Sequence, residues 1–250
     1  MTPTQIMALA RGRLRLTEGL FVVTAVLSAV ATPLWGGYGG TTLKALAMLW
    51  ALVAVLSVCR LPYPAHDPRV AALQQRGHAS VAFRRRGLYL VLAVIGGLAG
   101  DLLLDHTVDL FLPGLAAFLL GHLAYIACLR QDVSLLPSRR AAVVVYLVAL
   151  AVYLGLLAGG LSGFIRYPVG VYVTVIATMA AQAIGRAMVL RQPAAVVVAA
   201  GSVTFMVSDT LLAIDRFVSP LPALALGVLP TYYLAQCLMV LGLLRSEPPR

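Results

Sequence analysis

The sequence predicts an all-α, polytopic transmembrane bundle of about eight helices, and three observations carry that reading. The 250-residue chain is 61% hydrophobic and 11% charged, with a mean hydropathy of +0.93, whereas a soluble domain carries about 25% charged residues. Apolar runs of roughly 20 residues, long enough to cross a bilayer, recur from one end to the other. Basic residues fall in the connections between these runs and strongly favour one side. In hydrocarbon a spanning segment must satisfy its backbone polar groups internally, which selects helices here. The short alternating segments of a transmembrane barrel are absent from the sequence.

The first run, 16–34, follows Arg11, Arg13 and Arg15. "AVA" at 29–31 resembles a signal-peptide cleavage site, but the apolar stretch continues to Trp35, so the segment is read as a retained span. The second, 42–59, carries Lys44, the single lysine of the chain, near its start. The connection from Arg60 to Arg86 is long, arginine-rich and polar enough to hold a surface helix. Spans 87–104 and 111–129 contain "GLAGDLLL" and "GLAAFLLGHLAYI". Spans 141–159 and 168–187 follow, and the inner halves of the spans as a set are almost devoid of polar residues, Gln182 being the main exception. The last two, 194–214 and 222–244, contain "FMVSDTLLAIDRF" and "TYYLAQCLMVLGLLR".

With these spans, every basic residue except Lys44, Arg166 and Arg216 lies on one side, Arg186 and Arg191 of the sixth connection included. Taking that side as cytoplasmic puts both termini inside. The net charge of +10 is therefore read as topology and not as a nucleic-acid face. Cys59, Cys128 and Cys237 lie in or beside apolar runs with no CxxC pair, and are read as small buried hydrophobes. The whole chain, 1–250, is expected to be one integral membrane domain. The echo between "GDLLLD" (100–105) and "SDTLLAID" (208–215), 108 residues and four helices apart, suggests parallel repeat halves, 1–135 and 136–250.

Ionisable groups inside spans are costly and usually face a cavity or a partner. Asp101 and Asp209 are the two deep carboxylates, and each falls about fifteen residues into an outward-running helix. At about 1.5 Å per residue they reach a similar depth, in the outer half of the membrane. Asp105, Asp109 and Asp215 sit nearer the surface and are read as solvated loop charges. His122, with Tyr125 one turn on, and Tyr232, Tyr233 and Gln236 supply the remaining buried polar groups, and Lys44 is a candidate phosphate ligand. A metal site is disfavoured: of four histidines only His122 is deep in a span, and no HxxxH or cysteine pair accompanies it. No nucleophile elbow, P-loop or dinucleotide fingerprint is present.

At these four quoted segments the sequence resembles the lysoplasmalogenase family of multi-span membrane proteins (YhhN-like and TMEM86-type). Order and spacing agree with the family's Gly-Asp, Gly-His with nearby Tyr, Ser-Asp and Tyr-Tyr with Gln segments, from about Lys44 to the C-terminus. Two departures stand out: Lys44 is followed by Ala45 where the family often has Pro, and the second connection looks expanded. The resemblance implies hydrolysis of the vinyl ether bond of lysoplasmalogens to a fatty aldehyde and glycerophosphoethanolamine or glycerophosphocholine. The partners implied are a lysophospholipid substrate and membrane lipid, with no cofactor, metal or nucleic acid.

That chemistry needs a proton donor for the alkene carbon and a second group that supports the oxocarbenium-like cation. Desolvation favours a neutral carboxyl, and a second carboxyl nearby favours it further. Asp101 and Asp209 are accordingly the expected catalytic pair, by the logic of paired carboxyls in glycoside hydrolysis. Tyr232, Tyr233, His122, Tyr125 and Gln236 would line the site, and Lys44 would attract the phosphate. The competing reading is a transporter that uses intramembrane carboxylates for a small solute or lipid. A metal-dependent membrane amidase of the ceramidase type is the third, and the shortage of histidines argues against it. The arginine- and alanine-rich composition points to a bacterial cell membrane.

Overall fold

The computed structural model describes residues 16–30, 37–59, 78–105, 108, 110–219 and 222–246. These form eight helices and, among the described residues, no strand. In chain order they are α1 (Leu16–Val30), α2 (Gly37–Cys59), α3 (His78–Leu103), α4 (Phe111–Leu129), α5 (Arg139–Ala158), α6 (Arg166–Leu190), α7 (Pro193–Phe217) and α8 (Pro222–Arg245). Six of them, α3 to α8, are long and apolar enough to cross a membrane; α1 and the Thr42–Leu56 part of α2 are shorter apolar helices. The N-terminal arginines, most of the Arg60–Arg86 connection with His66, and His106 and Asp109 lie outside the described residues.

The helices coincide with the apolar runs to within a few residues, apart from the start of α3. It opens at His78 and takes in Arg84, Arg85 and Arg86, so the end of the connection runs directly into α3, while the rest of the stretch expected to hold a surface helix lies outside the described residues. Nothing between Ala79 and Arg86 breaks a helix, and arginine is a good helix former. The start of α5 is capped by Ser138, whose hydroxyl accepts from the Ala141 N–H at 3.3 Å, and α7 opens on Pro193.

Side chains on the outward faces are large and apolar, as lipid requires. On α5 alone Val143, Val144, Leu147, Val148, Leu150 and Leu154 are exposed. The main core draws Phe21, Met48, Val94, Phe118, Ile176, Phe205 and Met239 from all the helices except α5. α5 attaches through small residues instead, Ala142, Val145 and Ala149 against Ala177, Ala180 and Ala181. The α3–α4 and α7–α8 pairs pack most intimately. α3 and α4 cross at Gly96 and Gly121, where a β-carbon on Gly96 would lie 2.7 Å from the Gly121 α-carbon. Without a hydrophobic drive between helices in lipid, such close backbone approach is a main source of association.

At the end of the bundle holding the start of α3, the structure corrects the reading of Arg186. It is no loop charge: α6 continues past it to Leu190, and its side chain is fully buried. Its guanidinium donates to Asp132, from Nε at 2.8 Å and from Nη2. Arg86 donates to the other carboxylate oxygen at 3.1 Å. Gln182 pins the same connection, accepting from Leu136 N–H at 2.6 Å and donating to the Ser134 carbonyl at 3.1 Å. Asp132 folds back because two arginines, otherwise uncompensated in an apolar bundle, need a counter-charge.

Breaking a buried pair by removing one partner costs about 3–5 kcal/mol. Arg186→Met is therefore expected to lower the melting temperature of the detergent-solubilised protein by on the order of 10 °C, while Arg130→Met, at an exposed position, shifts it little. Equal melting of the two variants would show that the Asp132 cluster does not hold this end together.

Candidate functional site

At the other end of α3, the predicted residues form three hydrogen-bonded groups. The first surrounds Asp101. Lys44 is buried, with its Nζ 2.9 Å from Asp105 Oδ2 and 4.0 Å from Asp101 Oδ1. Tyr233 reaches across from α8 and donates to Asp101 Oδ2 at 3.1 Å, while its own oxygen accepts from Ser28 of α1 at 3.2 Å. Asp105 is thus not the solvated loop charge its position suggested: it is 6% exposed. The chain turns back after α3, with Val108 N–H bonding to the Asp105 carbonyl and Leu110 N–H to that of Leu103, and Asp105 pairs with Lys44 in this turn.

The second group lies one to two turns deeper along α3. Tyr125 donates to Gln236 Oε1 at 2.7 Å, Gln236 Nε2 donates to the Tyr232 oxygen at 3.4 Å, and the Tyr232 hydroxyl points at Met48 Sδ, 3.6 Å away. The lack of a side chain at Gly97 makes room for this, since a β-carbon there would come 2.5 Å from Gln236 Nε2 and 3.1 Å from the Tyr232 oxygen.

The third group holds Asp209. It accepts a hydrogen bond from Tyr172 of α6. Both residues line a partly open cleft between α4, α5, α6 and α7, walled for the most part by apolar groups such as Leu115, Phe118, Val152, Val173 and Met206. Tyr172 was not singled out from sequence. A tyrosine in the second turn of an apolar helix implies a partner for its hydroxyl once it is buried, and that was the available signal.

Asp101 and Asp209 therefore each have their own donor, and the structure joins them through aromatic contacts. Tyr172 meets His122 edge-on at 5.4 Å, His122 meets Phe205 at 5.1 Å, Phe205 meets Tyr232 at 5.7 Å, and Tyr232 meets Tyr233 at 5.0 Å. Phe118 stacks on His122 and meets Tyr232 edge-on at 5.7 Å. His122 is buried, and its Nδ1 has no hydrogen-bond partner among the described residues. Within those residues no three His, Cys, Asp or Glu side chains gather as a metal site would require.

A polytopic helical bundle with two carboxylate groups and an apolar cleft defines a membrane protein built around buried acids. The chain belongs to the YhhN family, whose match runs over residues 40–243. It is 31% identical over 140 residues to the Homo sapiens protein named lysoplasmalogenase TMEM86B, a stretch covering 56% of this chain and 57% of that one. It is 36% identical over 95 residues to the Bos taurus protein named lysoplasmalogenase TMEM86A, covering 36% of this chain and 38% of the relative. The Homo sapiens lysoplasmalogenase TMEM86A is 31% identical over 145 residues, 56% of this chain and 58% of its own length. The matched stretches thus span between 38% and 58% of the length of these relatives. No solved structure matches it.

Lys44 is the only cation that the described contacts give to Asp101 and Asp105. Lys44→Met is expected to cost roughly 3–5 kcal/mol, because it takes the ammonium away from two buried carboxylates. Lys44→Met combined with Asp105→Asn should recover at least half of that loss in a chemical or thermal melt. A single variant as stable as wild type would contradict the pairing.

Proposed function

We propose that this chain hydrolyses the vinyl ether bond of lysoplasmalogens, releasing a fatty aldehyde and glycerophosphoethanolamine or glycerophosphocholine, with its own side chains and no cofactor. The observation that carries the proposal is the one carboxyl on the wall of an apolar cleft, that of Asp209, held by Tyr172. The names of the family relatives support it. A cleft of this kind suits a single hydrocarbon chain with the reacting bond brought to Asp209.

Asp209 is the acid. Its carboxyl proton goes to the alkene carbon remote from the ether oxygen, the π electrons forming the new C–H bond and leaving a cation shared between the other carbon and the oxygen. Phe118 and Tyr172 in the cleft wall offer ring faces that favour a cation. Water adds to the cationic carbon, and its proton returns to the Asp209 carboxylate. The hemiacetal then collapses: the carbon–oxygen bond to glycerol breaks, the glycerol oxygen takes the hydroxyl proton, and the aldehyde forms. Asp101, fixed by Lys44 and Tyr233, is the second carboxyl and favours the cation electrostatically. His122, through its unpartnered nitrogen, and the Tyr125–Gln236–Tyr232 chain orient water and the leaving oxygen. In this reading both termini face the cytoplasm of a bacterial cell, 1–250 acts as one membrane domain, and the cleft serves the outer leaflet.

The transporter alternative has one observation in its favour, the second buried ionic cluster of Arg86, Asp132 and Arg186, which makes the opposite end of the bundle less apolar than its sequence suggests. Flux of a lysolipid through proteoliposomes without aldehyde release would select it.

General acid catalysis contributes about 10²- to 10⁴-fold. Asp209→Asn should therefore lower aldehyde release from a lyso-vinyl-ether phospholipid at least 100-fold with melting unchanged. Asp101→Asn should also fall, and Tyr172→Phe by about tenfold. An ester-linked lysolipid should release no aldehyde. Wild-type turnover in Asp209→Asn would remove Asp209 as the acid.

A further inference from the structure

We propose that Arg216, at the mouth of the cleft, holds the phosphate of the lysolipid while the hydrocarbon chain lies in the cleft below. The inference rests on the hydrolase reading above and names the residue that selects its substrate class. Lys44, the cation that sequence alone suggests for this role, is buried against Asp105 and Asp101. A phosphate brought there would meet two carboxylates as well as the ammonium. On this end of the bundle stand two other basic residues, Arg166 at the start of α6 and Arg216 in the last turn of α7, and both are exposed.

Arg216 is fixed to the cleft itself. Its guanidinium carbon lies 5.5 Å from the centroid of the Phe111 ring, and Phe111 meets Phe217 edge-on at 5.4 Å. Both phenylalanines line the cleft whose wall carries Asp209. Arg216 therefore lies against the aromatic part of that cavity's wall.

The spacing fits the ligand. Arg216 follows Asp209 by seven residues, which is two turns, so the two share a helix face about 10 Å apart along the axis. In a lysoplasmalogen five bonds separate the phosphorus from the vinyl ether oxygen, about 6 Å, and the carbon to be protonated is two bonds further on. The side chains span the remainder. A planar guanidinium pairs with phosphate through two parallel hydrogen bonds and gives up its hydration more readily than an ammonium. Arg166 adds a second cation to the rim; its guanidinium sits 4.8 Å over the Tyr167 ring, one turn before Val169 of the cleft wall.

The test is binding and not turnover. A saturated 1-alkyl-glycerophosphocholine has no vinyl ether to hydrolyse, and a 1-alkylglycerol of the same chain length lacks only the phosphoryl head group. Affinities of both are measured for the full chain purified in non-ionic detergent, with Arg216→Gln, Arg216→Lys and Arg140→Gln, the last at the opposite end of the bundle. Arg216→Gln is expected to weaken the phosphate-bearing ligand about tenfold and the alkylglycerol less than twofold. Arg216→Lys should fall between, and Arg140→Gln should match wild type. Equal affinity of wild type and Arg216→Gln for the phosphate-bearing ligand overturns the proposal, as does equal loss for both ligands or no binding by wild type. Failure of wild type to release aldehyde would count against the hydrolase reading alone, because the binding comparison does not depend on turnover.

Discussion

The crossing of α3 and α4 at Gly96 and Gly121 is the constraint on which the rest of the site depends. Only two residues without side chains allow the backbones so close, and that contact sets which faces of the two helices meet their neighbours. Phe118, His122 and Tyr125 of α4 then meet Tyr172 of α6, Phe205 of α7 and the polar face of α8. Gly97, one residue along α3, leaves the space that the Gln236 amide fills. Asp101 follows one turn later, where Tyr233 and Lys44 reach it. A side chain at Gly96 would push α4 outward and separate groups that in an apolar interior have no other partners.

Buried polarity is concentrated at two levels on α3, around Arg86 and around Asp101, about 22 Å apart along the helix. The two levels differ in kind. Around Asp132 both carboxylate oxygens are taken up by arginines and the loop is pinned by Gln182, an arrangement suited to holding helices together. Around Asp101 and Asp209 the partners are phenols and one ammonium, and Asp209 faces a cleft. A charge that is fully tied contributes to structure, while a carboxyl that borders open apolar space can exchange a proton with a ligand.

Much of this was legible in the sequence because the two signals are strong in a membrane chain. Runs of about 20 apolar residues marked α4 to α8 to within three residues at either end, and the polar groups interrupting them drew attention to Asp101, Asp209, His122, Tyr125, Tyr232, Tyr233 and Gln236. What escaped depends on how helices turn against one another. Tyr172 looked unremarked among valines until α7 placed Asp209 opposite its hydroxyl. Asp105 and Arg186 sit at helix ends, where a sequence position does not distinguish a solvated charge from one folded inward onto Lys44 or Asp132. Depth alone placed Asp101 beside Asp209 in the sequence; how they turn, each with its own tyrosine donor and an aromatic run between, is visible only in the structure.

The measurement that tests the account most directly is an experimental structure of the protein with a saturated 1-alkyl-glycerophosphocholine bound. The hydrocarbon chain is expected to lie among Leu115, Val152 and Val173 with the ether oxygen within about 3–4 Å of the Asp209 carboxyl. A chain seated elsewhere, with Asp209 still bonded only to Tyr172 and remote from the ether, would contradict it.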